Sequence, residues 1–140
     1  MSWFKNRMVG AGIISAAKLT VVPVIPDFTA AAESGNAISI VIQMVDPDGE
    51  NVERAVDCIC ELHDANGLMG VVGDWRLSET GAGTAVSTAA KPTIICTTST
   101  AGAMTIAVTD VSGSYSGDVY LVVTPLNTTG SPGIVTVTFA

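Results

Sequence analysis

Three cysteines, one histidine, a cluster of carboxylates and two glycine pairs are the residues of this chain whose types invite a chemical reading. Cys58 and Cys60 are separated by one residue, and Cys96 stands alone further along. In a strand, residues two positions apart point to the same face, so Cys58 and Cys60 read as neighbouring thiols on one side of a sheet, and the three read as buried free thiols. A zinc site would need a fourth ligand from His63 or a carboxylate, and Cys58 and Cys60 are closer together than the usual zinc knuckle allows. His63 is followed by Asp64, which sketches a base beside an orienting carboxylate. The nucleophile such a dyad serves is missing: no serine sits in a Gly-x-Ser-x-Gly elbow, and the nearest cysteines fall in a predicted strand. Asp46, Asp48 and Glu50 alternate with Pro47 and Gly49, but the calcium-binding loop with its terminal bidentate glutamate is absent, because Arg54 and Val56 follow. Hairpin geometry accounts for these residues. Gly10-Ala-Gly12 and Gly81-Ala-Gly83 lack the third glycine and the Lys or Ser that a phosphate cradle needs between a strand and a helix. The residues thus predict no catalytic group, no cofactor and no metal.

Residues suited to contact are a different set. Trp75 and Arg76 fall in a glycine-rich excursion, where an exposed indole and guanidinium would anchor an interface; the alternative is that Trp75 closes one end of a sandwich. Trp3, Phe4, Lys5 and Arg7 lie far along the chain from any compact region, followed by Val9, Ile13, Ile14, Leu19 and Val22. These read as an extended, apolar, cationic arm that binds a partner, with folding back along its own domain as the rival. Residues 1–17 have the outline of a leader peptide, but Trp3 and Phe4 precede the charges and Lys18 follows at once, so the segment reads as arm. No apolar run reaches the length of about 18 residues that a membrane-spanning helix needs.

The elements that must position these residues are strands. Val, Ile and Thr supply 45 of the 140 residues, while aromatic residues make up only 5% and charged residues 14%, which favours strands and argues against disorder. Alternation begins near Ala37 with Ile38, Ile40 and Ile42, and Asp46-Pro-Asp-Gly49 supplies the turn. Val52 to Leu62 reads as one strand with its even-numbered residues inward and Arg54 at the rim, ended by His63-Asp-Ala-Asn-Gly67. Residues 66–92 read as loop with short edge strands around Val71-Val72 and Thr84 to Ser87. Regular strands return at Thr93 to Thr97, Met104 to Thr109, Asp118 to Thr124 and Ile134 to Phe139. Six to eight short strands spaced by turns predict an all-β, Ig-like β-sandwich over residues 37–140, preceded by an extended N-terminal arm and linker over residues 1–36.

Charge divides along the same line. Residues 1–26 carry Lys5, Arg7 and Lys18 and no acid, whereas the remaining chain carries three basic and thirteen acidic residues, for an overall net charge of -7. An acidic body disfavours a general nucleic-acid binder, because phosphate contacts need a positive surface.

With the strands laid out, residues 37–140 resemble the small Ig-like structural proteins of tailed bacteriophages. The resemblance rests on Ile38-Ser-Ile-Val-Ile-Gln-Met-Val-Asp-Pro-Asp-Gly49, on Val56 to Asn66 with its Asp-Ala-Asn-Gly turn, on Met104 to Gly113, and on Val135-Thr-Val-Thr-Phe-Ala140. It implies a non-enzymatic virion protein: a capsid cement or decoration protein on the outer surface of the capsid. Its implied partners are the major capsid protein and neighbouring copies of itself, as a homo-oligomer held by the arm, without nucleic acid or membrane. The alternative that it implies is a tail, neck or fibre component with an adhesion module, its glycine-rich segment touching a glycan. A soluble carbohydrate- or calcium-binding module is a further rival.

Overall fold

The computed structural model describes residues 23–64, 75–85 and 92–140. Alternating inward apolar and outward polar residues form nine strands among them: β1 (Ile25–Ala30), β2 (Ala37–Val45), β3 (Asp57–His63), β4 (Trp75–Glu79), β5 (Thr84–Ala85), β6 (Thr93–Thr97), β7 (Ala103–Asp110), β8 (Gly117–Pro125) and β9 (Gly133–Phe139). They build two antiparallel sheets, a four-stranded one in the order β1-β2-β7-β4 and a five-stranded one in the order β5-β6-β3-β8-β9. The result is an all-β fold consistent with an Ig-like sandwich. Ile38, Ile40, Ile42 and Met44 of β2 and Met104, Ile106 and Val108 of β7 face Cys58, Cys60 and Leu62 of β3 and Val119, Leu121 and Val123 of β8 across one continuous buried core. Each large aliphatic side chain fully withdrawn from water contributes about 1.5–3 kcal/mol, and this is what holds the two sheets together.

Several boundaries differ from the sequence reading, each for a physical reason. Ile25–Ala30, read as arm and linker, pairs with β2 from Ile25↔Val45 to Ala30↔Ile40. Its Pro26 is tolerated because β1 is an edge strand with one side free of ladder hydrogen bonds. The strand expected from Val52 begins only at Asp57, because residues 46–56 first close a turn and then cross between sheets. Asp46 Oδ1 accepts the N–H groups of Asp48 and Glu50, each at 2.9 Å, and Val52 N–H returns to Met44 O at 2.8 Å. Residues 75–79, expected in a loop, form β4 against β7, pairing Trp75↔Asp110 through Glu79↔Ile106. The edge strand expected at Thr84 is present as β5, whereas Val71-Val72 lies outside the described residues.

Two crossings between the sheets meet at Thr98. Val56 N–H donates to Thr98 Oγ1 at 2.8 Å, and Thr98 N–H donates to Val56 O at 2.9 Å. Thr98 is buried, so these bonds form away from competing water and fix where the chain enters β3 and leaves β6. Gly102 makes the tight turn into β7 at φ +73°, and a Cβ there would fall 2.0 Å from Val52 O.

Candidate functional site

The thiols lie in the core. Cys58, Cys60 and Cys96 are free and buried on the inward faces of β3 and β6, where Cys58 is directly opposite Cys96. Burial, with Cys96 and Asp57 nearby, pushes the Cys58 thiol up to about 12. A hydrogen bond to Cys96, together with burial, likewise raises Cys60. The same bond lowers Cys96 against an opposing effect of burial, but all three sulfurs are withdrawn from solvent, so none is presented to a substrate. Among the described residues no group of three or more His, Cys, Asp or Glu is placed to hold a metal ion.

His63 closes β3 on the outward face, its Nε2 3.5 Å from Glu61 Oε2. Its Nδ1 is buried without a hydrogen-bond partner among the described residues. The glycines of Gly81-Ala-Gly83 serve close packing. A Cβ on Gly81 would lie 2.7 Å from Thr105 Oγ1, and one on Gly83 2.8 Å from both Met104 Cβ and Thr97 O. Only bare backbone lets the β4–β5 connection pass this near β6 and β7. The carboxylates of residues 46–50 have the turn role described above.

Asp110, the last residue of β7, is the most heavily engaged carboxylate described. Its Oδ1 accepts Ser112 Oγ–H at 2.6 Å and Ser112 N–H at 3.0 Å, and its Oδ2 accepts the N–H groups of Ser114 at 2.9 Å and Tyr115 at 2.8 Å. The Ser112 hydroxyl and these backbone donors hold the carboxyl below its ordinary range, against an opposing effect of burial. The folded loop delivers Tyr115 to Trp75 and Phe139. Trp75 meets both rings edge-on with centroids 5.1 Å apart, and Tyr115 and Phe139 are 6.4 Å apart. Trp75 is therefore buried in β4, at 4% exposure, beside an exposed Arg76. The other contact residues read from the sequence, Trp3, Phe4, Lys5, Arg7, Val9, Ile13, Ile14, Leu19 and Val22, lie outside the described residues.

The two outer faces differ. On the four-stranded sheet, exposed Ile25 pairs with Val45 at one end, and exposed Val41 sits apart between Thr29 and Thr105. On the five-stranded sheet, Ile95 pairs with Ile59, and Val122 pairs with Ile134, one step further along the same face. Ile59 is opposite Thr124, two residues from Val122, so the two pairs join diagonally across β6, β3, β8 and β9. Ile95 is 42% and Ile134 63% exposed, and Tyr120 extends the band along β8. Asp57, Glu61 and Asp118 each stand two residues along a strand from a member of this band, and no lysine or arginine shares the face among the described residues. Strand alternation assigns these outward positions, but their assembly into one band requires the strand order, which the sequence reading did not contain.

No protein-family model matches the chain, and no curated protein matches it. Among solved structures it is similar to a β-glucuronidase of Parabacteroides merdae, at 10% identity and a TM-score of 0.46 over 86% of this chain and 12% of the enzyme. The same enzyme with glycerol in its active site gives 10% identity and 0.45 over 85% of this chain and 12% of the enzyme. A glycosyl hydrolase family 2 member of Bacteroides cellulosilyticus gives 14% identity and 0.47 over 85% of this chain and 15% of that enzyme. The chain thus spans 12–15% of the length of these glycosidases, and likeness at this level carries no activity, substrate or partner over to it.

The expected kinship with small Ig-like proteins of tailed bacteriophages is corrected by these comparisons, since the similar structures are bacterial glycosidases and none of the three is a virion protein. With it go the capsid cement or decoration role, the tail, neck or fibre alternative, the major capsid protein and neighbouring copies as partners, the homo-oligomer on the virion, and the place on the outer capsid surface. The physical reason lies in the segments that carried the resemblance. Asp46 to Gly49 closes a hairpin, Asp110 to Gly113 folds a loop, and Val135 to Phe139 completes a sheet edge. Any antiparallel sandwich needs such devices, so they report architecture and not lineage.

Proposed function

We propose that the chain is a non-catalytic β-sandwich module, an acidic body that works by contact and not by turnover. The observation that supports this reading is the placement of its reactive side chains. Three buried thiols face the core, and the Asp110 carboxylate accepts four hydrogen bonds from its own loop. Glycoside hydrolysis commonly needs two carboxyl groups flanking a bond, about 5–10 Å apart. On the outer face of the five-stranded sheet Asp57 and Asp118 stand at opposite ends, each accepting a threonine hydroxyl from the neighbouring strand at 2.6 Å.

The full chain is to be incubated with para-nitrophenyl β-glucuronide, para-nitrophenyl β-galactoside and para-nitrophenyl acetate, alongside the His63→Ala variant. The proposal expects nitrophenol release at the rate of buffer alone from both proteins. Release beyond one equivalent that disappears in His63→Ala would refute it.

A further inference from the structure

We infer that the apolar band on the outer face of the five-stranded sheet is an intramolecular docking surface, and that its occupant is residues 1–22 of the same chain. Three observations carry this. The first is the band itself: the pairs Ile95↔Ile59 and Val122↔Ile134 adjoin diagonally across four strands, with Thr124 and Glu61 at the crossing and Ile134 at 63% exposure. Alternation on a solvated sheet places polar residues outward, so two adjoining outward apolar pairs mark a surface that something covers.

The second observation is charge. Asp57, Glu61 and Asp118 border the band, with His63 beside Glu61 and no lysine or arginine on that face among the described residues. Residues 1–22 carry Lys5, Arg7 and Lys18, no acid, and a run of large apolar side chains from Trp3 to Val22. The segment therefore supplies the apolar and cationic groups that the face lacks, half the basic residues of the whole chain being gathered in it.

The third is where the segment joins the body. Val24 is wholly buried, and its N–H donates to Thr129 O at 3.0 Å in the connection leading into β9. Two residues on, Pro26 Cβ lies 3.0 Å from the place a Cβ on Gly133 would take, immediately before Ile134. The described chain thus starts beside the β9 edge of the five-stranded sheet, the edge that carries Ile134. Four strands span about 15 Å at the usual spacing, and 22 residues reach up to about 73 Å, so the segment can cross the band and bring its cations to all three carboxylates.

The test is zero-length carbodiimide cross-linking of the full chain, followed by peptide mapping. The expected products join Lys5 or Lys18 to Asp57, Glu61 or Asp118 within one molecule, at a yield unchanged over roughly a hundredfold range of protein concentration. In the full-length double variant Ile95→Asn, Ile134→Asn, checked for folding by circular dichroism, the yield should fall at least about tenfold, because the apolar contact is gone while the charges on both sides are unchanged. In full-length Trp75→Phe, where Trp3 is the one remaining indole, its emission should be blue-shifted and should move to the red when the two asparagines are added. Should Trp75→Phe not fold, the cross-links decide alone. Absence of these cross-links, a yield that rises with concentration, or a yield indifferent to the two asparagines would overturn the inference.

Discussion

Asp110 is a residue whose chemistry is directed at its own chain. Four donors converge on one carboxylate, and charge-assisted hydrogen bonds are stronger than neutral ones, so the loop from Ser112 to Tyr115 depends on its ionisation. The folded carboxyl is held below the ordinary range, whereas the unfolded one titrates near the usual value of about 3.9. The stabilisation is therefore fully present above that pH and is lost as pH falls through the folded value. Asp110→Asn should lower the melting temperature at neutral pH by several degrees and flatten the loss of stability below about pH 4, as read by thermal unfolding across an acid series. A variant with an unchanged melting temperature and an unchanged acid limb would contradict this role. The sequence shows an Asp followed by serines and Gly113, which spells a turn. It does not show that the turn seats Tyr115 against Trp75 and Phe139, since those rings arrive from β4 and β9, distant in the chain.

At the scale of elements, legibility follows the length and regularity of alternation. Ile38, Ile40 and Ile42, or Val119, Leu121 and Val123, repeat at period two over strands of nine residues, and each places its apolar set inward. The strand β4 has only five residues amid glycines, and its place is settled by pairing with β7. The strand β1 is hidden by Pro26, which a reading of local geometry takes as a mark of irregular chain although an edge strand accommodates it. The crossings are hidden for another reason, because Thr98 and Val56 are 42 residues apart and neither type announces the bond between them. Thr98→Val keeps the shape of the side chain and leaves the Val56 N–H buried without its acceptor. It should reduce unfolding free energy by about 1–3 kcal/mol, measured by denaturant titration with an unchanged slope. A loss below a few tenths would mean that the crossings do not depend on this bond.

The whole molecule is two sheets closed over one core, with unlike outer faces and a basic segment attached to an acidic body. Composition and strand spacing make the sandwich legible because both follow from the same demand, that each strand bury one face. Lineage was not legible, because Asp-Gly turns and alternating strands recur wherever that demand is met. The band from Ile95 to Ile134 was not legible either, since it exists only once β6, β3, β8 and β9 lie side by side. What makes the body non-catalytic in this account is that the groups best suited to chemistry face inward. The most direct measurement is titration of the thiols with an aromatic disulfide reagent at about pH 8, first on the native full chain and then in denaturant. Burial holds Cys58 at about 12, so its thiolate is scarce at that pH as well as screened from the reagent. The account predicts no equivalent released from the native protein and three after unfolding, one for each free cysteine. A thiol that reacts in the folded state at the rate of a free cysteine would place a nucleophile at the surface and contradict the account.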